Sequence, residues 1–359
     1  MIKTYESYLV KLFLKKIINI FLLFLFLIII LSIFDEISFF RNIEISFFYP
    51  VLMAALNAPS TIFEIFPFIF LISTQFFFQE LINKNELEFL KVSGLNNLKI
   101  IKLLFLTSFV LGIILLSLYY SFSSKLKFLY LDLKNSHSKD DKYLAVVKES
   151  GLWIKDEINN KIYIINANKI ENNYLFAVSI NEFDKEFNLN RIIEAEKVDI
   201  SNKKWLIEKP MITKDNKMLK IKKTINIDTH FDRKKISTMF ENLSSLNIFQ
   251  LLKLSNDYKL LGYSNTEIRS HLHNLYSFPL YLSVMTLLAS ITMLNIKRNK
   301  PMIFHLMIGI FLSVVIYYFY YLFNILGING KLPLLFSLYL PFLILGIFIL
   351  IGLVRINEK

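Results

Sequence analysis

From Ile17 to Phe34 the chain reads IINIFLLFLFLIIILSIF, 18 residues without an ionisable side chain, and it then meets Asp35 and Glu36. A helix needs about 20 apolar residues to cross the hydrocarbon layer of a bilayer, so this run is predicted to be a membrane span. Lys11, Lys15 and Lys16 precede it, the flank that the positive-inside rule places in the cytoplasm. A cleaved signal peptide would carry an apolar region of about 7 to 15 residues ending at small side chains. Ile33, Phe34, Phe39 and Phe40 stand there instead, and an uncleaved anchor is the expectation.

The rest of the apolar sequence is blocked in the same way. With 54% hydrophobic residues and 35 Phe, the chain holds more apolar surface than one soluble core requires. Further spans are predicted at 45–78, 100–122, 275–296, 302–326 and 332–354, giving six grouped three and three. Between the groups, over 123–266, no apolar run approaches spanning length. In KMLKIKKTINID, Leu219, Ile221, Ile225 and Ile227 share one face of a strand, opposite Lys220, Lys222, Thr224 and Asn226. GLWIK, NKIYIINAN, YLFAVSI and KKWLIEK carry similar signals. The predicted fold is an α-helical integral membrane protein with six transmembrane helices and an inserted all-β, jelly-roll-like domain. Its parts are an N-terminal membrane half at 1–122, the β domain at 123–266 and a C-terminal membrane half at 267–359. Without Cys, the β domain cannot be held by disulfides and must rest on apolar strand faces.

Short-loop charges orient the chain. With the N-terminus in the cytoplasm, the inside carries Lys3, Lys11, Lys15, Lys16, Lys84, Lys91, Lys99, Lys102, Lys297, Arg298, Lys300, Arg355 and Lys359, whereas the short outer loops carry Arg41 and Lys331. Six spans return the C-terminus to the cytoplasm and put the β insert outside. The net charge of +12 then follows from topology and anionic headgroups, and implies no nucleic-acid binding.

Between the second and third spans lies LINKNELEFLKVSGLNNLKI, which reads as a short helix at about 85–94. Asn85 can cap it, Glu86 and Glu88 suit the positive end of its dipole, and Lys91 and Gly94 suit its end. Leu87 and Leu90 share a face. Two helical turns are marginal alone in water, so the segment needs a membrane or a partner to lie on. A plain turn with solvated charges is the competing interpretation.

These residues, taken in order, resemble the LptF/LptG permease subunits of the lipopolysaccharide export transporter, over essentially the whole chain. Asp35-Glu36 is similar to the family's acidic step after the first span, and Glu64 and Pro67 in IFEIFPF to its second-span signature. NELEFLKVSG resembles its coupling helix. GLWIKD followed by IYIINA resembles the opening of its periplasmic domain, more in the G-type than the F-type manner. Trp205 in KKWLIE matches a later strand, and Pro279 and Pro341 fall where the fourth and sixth spans of the family carry prolines.

The resemblance implies a multi-pass inner-membrane permease that forms a heterodimer with a paralogous subunit and is driven by a cytoplasmic ATPase dimer. Lipopolysaccharide would be extracted from the membrane and passed to a periplasmic bridge, with a single-span partner assisting. It implies ATPase coupling through Glu86, with Leu87 and Leu90 as apolar anchors, and substrate or gate positions at Asp35, Glu36, Arg41, Arg269 and His271. The expected chain binds no cofactor directly and is not an enzyme. ATP would be hydrolysed by the partner, since no GxxxxGK[ST] loop occurs here. The sequence departs from the family in its outer rim: Ser32, Ser38 and Phe39 replace several lysines, leaving Arg41, and Leu275 replaces a base before Pro279.

His271 and His273 are spaced so that a helix turns them apart, which disfavours a shared metal ion. Glu64, an acid within an apolar stretch, is a functional candidate by position, although no nucleophile and base accompany it. Other classes remain open: a permease of another lipid or lipoprotein extraction system, or a tethered β scaffold.

Overall fold

In the computed structural model of the chain, residues 4–41, 46, 48–137, 152–158, 161–171, 173–214, 217–220, 223–233, 236, 242–260, 264–294 and 302–357 are described. Lys3, Gly151, Ile221, Lys222, Lys297, Arg298, Lys300 and Lys359, used above for topology and strands, lie outside them. Two units emerge, one formed by residues 1–127 with 266–359 and the other by 128–265.

The opening run forms the middle of α1 (Thr4–Phe40). No Gly or Pro interrupts these 37 residues, so the helix extends about 55 Å at 1.5 Å per residue, well past a hydrocarbon layer of about 30 Å. α2 (Phe48–Asn83) includes Pro59 and Pro67, and is followed by the short α3 (Glu86–Val92). α4 (Asn97–Ile114) continues through a π-helical turn at Leu115–Tyr119 into α5 (Tyr120–Ser136), so the third span forms a longer rod than its apolar run suggested. After the strands, α6 (Ile248–Leu260) closes the second unit, and α7 (Thr266–Leu294), α8 (Met302–Ile328) and α9 (Leu334–Asn357) follow it. Six of the described helical stretches are long and apolar enough to cross a membrane. The predicted fold class stands.

Within the membrane unit, α2 and α7 are the central helices. Their most apolar windows are 72% and 61% buried, against 11% for α1 and 17% for α8. Such burial needs close backbone approach, and one pair of residues provides it between α4 and α7. A Cβ on Gly112 would lie 2.6 Å from the Pro279 Cα, which cannot yield. One turn before Gly112 on α4 and two turns after Pro279 on α7, the Ser108 and Thr286 hydroxyls meet at 2.8 Å. Lower down, Gln75 of α2 donates its amide to the His305 carbonyl of α8 at 3.0 Å. Because lipid is as apolar as leucine, helices in a bilayer associate through such small-residue contacts and side-chain hydrogen bonds.

The β unit is organised differently. Its strands are β1 (Leu152–Ile158), β2 (Lys161–Glu171), β3 (Tyr174–Phe183), β4 (Leu189–Asp199), β5 (Lys204–Ile207), β6 (Met211–Lys214), β7 (Lys217–Lys220) and β8 (Ile225–Asp228). They form one antiparallel sheet in the order β1-β2-β3-β4-β5-β8, with β6 also pairing β4 and β7 pairing β6. Since β4 pairs β5 at Val198–Asp199 and β6 at 192–194, the sheet branches and curls. Alternation along β1 sends Leu152, Ile154 and Asp156 inward. Ile165, Ile180, Ile193, Val198 and Ile207 join them in a core around fully buried Trp205, whose indole N–H donates to the Phe231 carbonyl at 2.9 Å.

KMLKIKKTINID is not one strand, in contrast to its alternation. β7 pairs β6 and β8 pairs β5, so Leu219 is exposed whereas Ile227 is buried. A face shared in sequence is shared in space only while both halves keep one register.

Candidate functional site

Helix α3 is fixed at both ends by backbone geometry. Asn85 precedes it in the left-handed region, φ 55°, and its side chain makes no capping hydrogen bond. The expected Asn85 cap is therefore corrected: the residue makes the tight turn from α2, a conformation that asparagine tolerates better than most residues. At the other end Gly94, φ 85°, donates to the Lys91 carbonyl while Leu95 N–H donates to that of Leu90, both at 3.0 Å. This is a Schellman closure, with Leu90 and Leu95 both buried as its apolar contact.

The closure orients the helix faces. Leu87 and Leu90 turn inward, 7% and 9% exposed, whereas Phe89 and Val92 are 71% and 90% exposed. The apolar surface of α3 open to another protein is thus Phe89 and Val92, and Leu87 and Leu90 seat the helix on its own chain. Glu86 accepts a 2.6 Å hydrogen bond from the Tyr8 hydroxyl of α1. In the last turn of α2, Glu80 bridges Lys16 of α1 at 2.5 Å and Lys84 at 2.6 Å. The hydrogen bond to Glu80 raises the pKa of Lys84 above the ordinary lysine value. α1, α2 and α3 are in this way joined at the lysine-rich end of the bundle. Sequence reasoning missed Tyr8, Phe89 and Val92. The exposed pair had a signal, since the helix carries apolar residues on both faces; the Tyr8 contact, 78 residues away in sequence, had none.

The opposite end of α1 holds three of the expected gate residues, Asp35, Glu36 and Arg41, and α7 carries the other two. Asp35 is exposed and Glu36 is 2% exposed, because consecutive helical residues point about 100° apart. Arg41 is exposed at the helix end. Arg269 is exposed one residue pair before His271 on α7. His271 lies 3.2 Å from the Tyr120 hydroxyl, and His273 lies 3.3 Å from that of Tyr339, so the two imidazoles serve different neighbours. No group of three or more His, Cys, Asp or Glu side chains among the described residues could hold a metal ion.

The face of α1 between these two ends is open: Ile18, Leu22, Phe26, Ile30 and Phe34 are all exposed. Six apolar helices, an inserted β-sheet unit and a short, seated helix between the second and third spans make a definite pattern. The model of the family described as lipopolysaccharide export system permease LptF/LptG matches residues 7–355. The chain belongs to the LptF/LptG family. No curated protein matches it. Membership makes it a multi-pass membrane protein of a transporter permease family, at the level of lipopolysaccharide export.

Proposed function

We propose that this chain is one permease subunit of an ATP-driven lipopolysaccharide exporter, paired with a paralogous subunit and coupled to a separate cytoplasmic ATPase dimer. Its termini and α3 face the cytoplasm, its β unit faces the periplasm, and the membrane is the bacterial inner membrane. The charge asymmetry supports this orientation, with Lys11, Lys15, Lys16, Lys84 and Lys91 at one end and Arg41 and Lys331 in the opposite short loops. The observation that carries the coupling role is α3 itself, a rigidly closed helix that offers Phe89 and Val92 outward. A short helix laid in a groove transmits rigid-body motion when its other face is fixed. Leu87, Leu90 and the Glu86 to Tyr8 bond provide that fixation.

Lipopolysaccharide would meet the open face of α1 and the rim residues Asp35, Glu36, Arg41, Arg269 and His271, then pass along the β unit to a periplasmic bridge, with a single-span partner in the same export system. β1, at the start of the sheet path, is the edge we assign to strand pairing with the bridge. No cofactor is bound by this chain in the scheme, and ATP is consumed by the partner.

The test is reconstitution in proteoliposomes with the ATPase, following ATP-dependent transfer of lipopolysaccharide to the bridge protein. Phe89→Asp should abolish transfer and co-purification of the ATPase, while the β unit and spans stay folded. Wild-type transfer without ATP, or undiminished ATPase recovery with the variant, would remove the coupling role from α3.

A further inference from the structure

Glu64 is an anomaly of the membrane unit. It lies on α2, the most buried span, yet its side chain is exposed. Counting along the helix at 1.5 Å per residue, it stands about 24 Å from Glu80 at the lysine-rich end and about 10 Å below Asn57. That depth is within the hydrocarbon layer. Glu64 makes no hydrogen bond or ion pair with any described residue. Lys127 is within electrostatic reach of it, but donates its ammonium to Asn57 at 2.6 Å. An ionised carboxylate at this depth is costly unless a ligand, water-filled cavity or cation meets it.

The neighbouring surface is graded. On α8, Ile310, Val314, Tyr317 and Tyr321 form one exposed stripe by their three- and four-residue spacing. It is aliphatic toward the lysine-rich end and hydroxyl-bearing toward the other, with the Tyr317 and Tyr321 rings parallel at 6.4 Å. Tyr317 is within electrostatic reach of Glu64. Acyl chains below and a polar headgroup above would match this order in a single amphiphile. Of the groups that can meet the acid, a cationic donor also answers its charge, and exposed Asp35 at the end of α1 is a further acid where a purely anionic headgroup would call for bases.

We propose that Glu64, with Tyr317 of α8 near it, is a binding site for a protonated amine carried by the headgroup of the transported glycolipid. The inference rests on the export reading and adds the substrate chemistry that this chain selects. The ammonium donates to the Glu64 carboxylate, and the Tyr317 hydroxyl exchanges hydrogen bonds with an adjacent sugar hydroxyl. No metal is required.

Two lipopolysaccharide preparations that differ in one respect, a free headgroup amine or the same amine N-acetylated, provide the probe. Competition binding to the purified permease with its co-purifying subunits should favour the free amine about tenfold, the order expected of a charge-assisted hydrogen bond shielded from water. Glu64→Gln should remove that preference with little effect on the acetylated form, and Glu64→Asp should keep part of it. Equal binding of both forms by wild type, or a preference that survives Glu64→Gln, overturns the amine site and leaves the export reading intact. Loss of the second permease subunit from Glu64→Gln preparations also overturns it, since the carboxylate would then pair with that subunit. Binding of neither form would sink the export reading and the site together.

Discussion

The two units of this chain solve the same problem with opposite means. In the β unit, water drives apolar side chains into one core, and Trp205, Phe231 and the inward residues of β1 to β5 fill it. In the membrane unit the large apolar side chains gain nothing by leaving lipid, and Ile18, Leu22, Phe26 and Phe34 stay on the surface. Between its helices, among buried large side chains such as Phe70, Phe77 and Met53, lies a set of small or polar ones: Ser73, Thr74, Gln75, Ser108, Ser283, Thr286 and Ser290. The hydrophobic pattern therefore reports position in one unit and environment in the other. An exposed charge follows the same division. It is ordinary on the β unit, but on α2 it marks Glu64 as unusual.

The sharpest break of that contrast is removal of the β core's centre. Trp205→Ala should destabilise the β unit by about 3–5 kcal/mol, the range for large-to-small changes in a packed core, and leave the Phe231 carbonyl without its indole donor. Trp153 is the other tryptophan of the chain, so its fluorescence reports denaturant unfolding of the variant in full-length protein. The membrane helices should retain their far-ultraviolet circular dichroism while the β transition moves. Simultaneous loss of both would contradict the independence of the two means of stabilisation.

A smaller effect is expected where the β unit buries charge. Glu182 is almost fully buried and receives Lys161 at 2.8 Å and Arg191 at 2.7 Å. Burial opposes its ionisation, but the hydrogen bonds from Lys161 and Arg191 outweigh it and hold the carboxyl below its ordinary pKa. A lowered folded pKa means that the stabilisation is present above the unfolded carboxylate value of about 4.3, and is lost as pH falls from there through the folded value. With both bases partly exposed to screening, about 1 kcal/mol is at stake. Amide exchange of β2 to β4 should accelerate on acidification through this window in wild type and change less in Glu182→Gln. Identical pH dependence in the two proteins would assign the acid sensitivity to other groups.

Sequence made the spans legible because a bilayer demands long apolar runs, whatever those runs touch. It could not show which face of α1 or α8 turns inward, since nearly every face of each is apolar. Gly94 was readable as the end of α3, because only a residue tolerant of positive φ closes a Schellman turn there. The direction of Leu87 and Leu90 was not readable, for Phe89 and Val92 make the other face equally apolar. Asp35 and Glu36 looked alike in sequence, and helical geometry alone separated an exposed acid from a buried one. In the β unit, alternation found the strands, yet it passed unbroken across the change of partner between β7 and β8.

The least expected effect tests the polar glue of the membrane unit. Ser108 and Thr286 join α4 to α7 at 2.8 Å, and the Thr286 hydroxyl also lies 3.0 Å from the Leu282 carbonyl of its own helix. After Ser108→Ala, Thr286 keeps that local acceptor, so no buried donor is orphaned. The cost should be about 0.6 kcal/mol, the average measured for interhelical hydrogen bonds in a membrane bundle. Steric trapping or a detergent titration of the membrane unit would resolve such a change. A loss of several kcal/mol would mean that the hydroxyl pair, rather than the close approach allowed by Gly112, holds α4 against α7. An undetectable loss would place that contact wholly in the backbone fit, and make shape the means by which this unit chooses its neighbours.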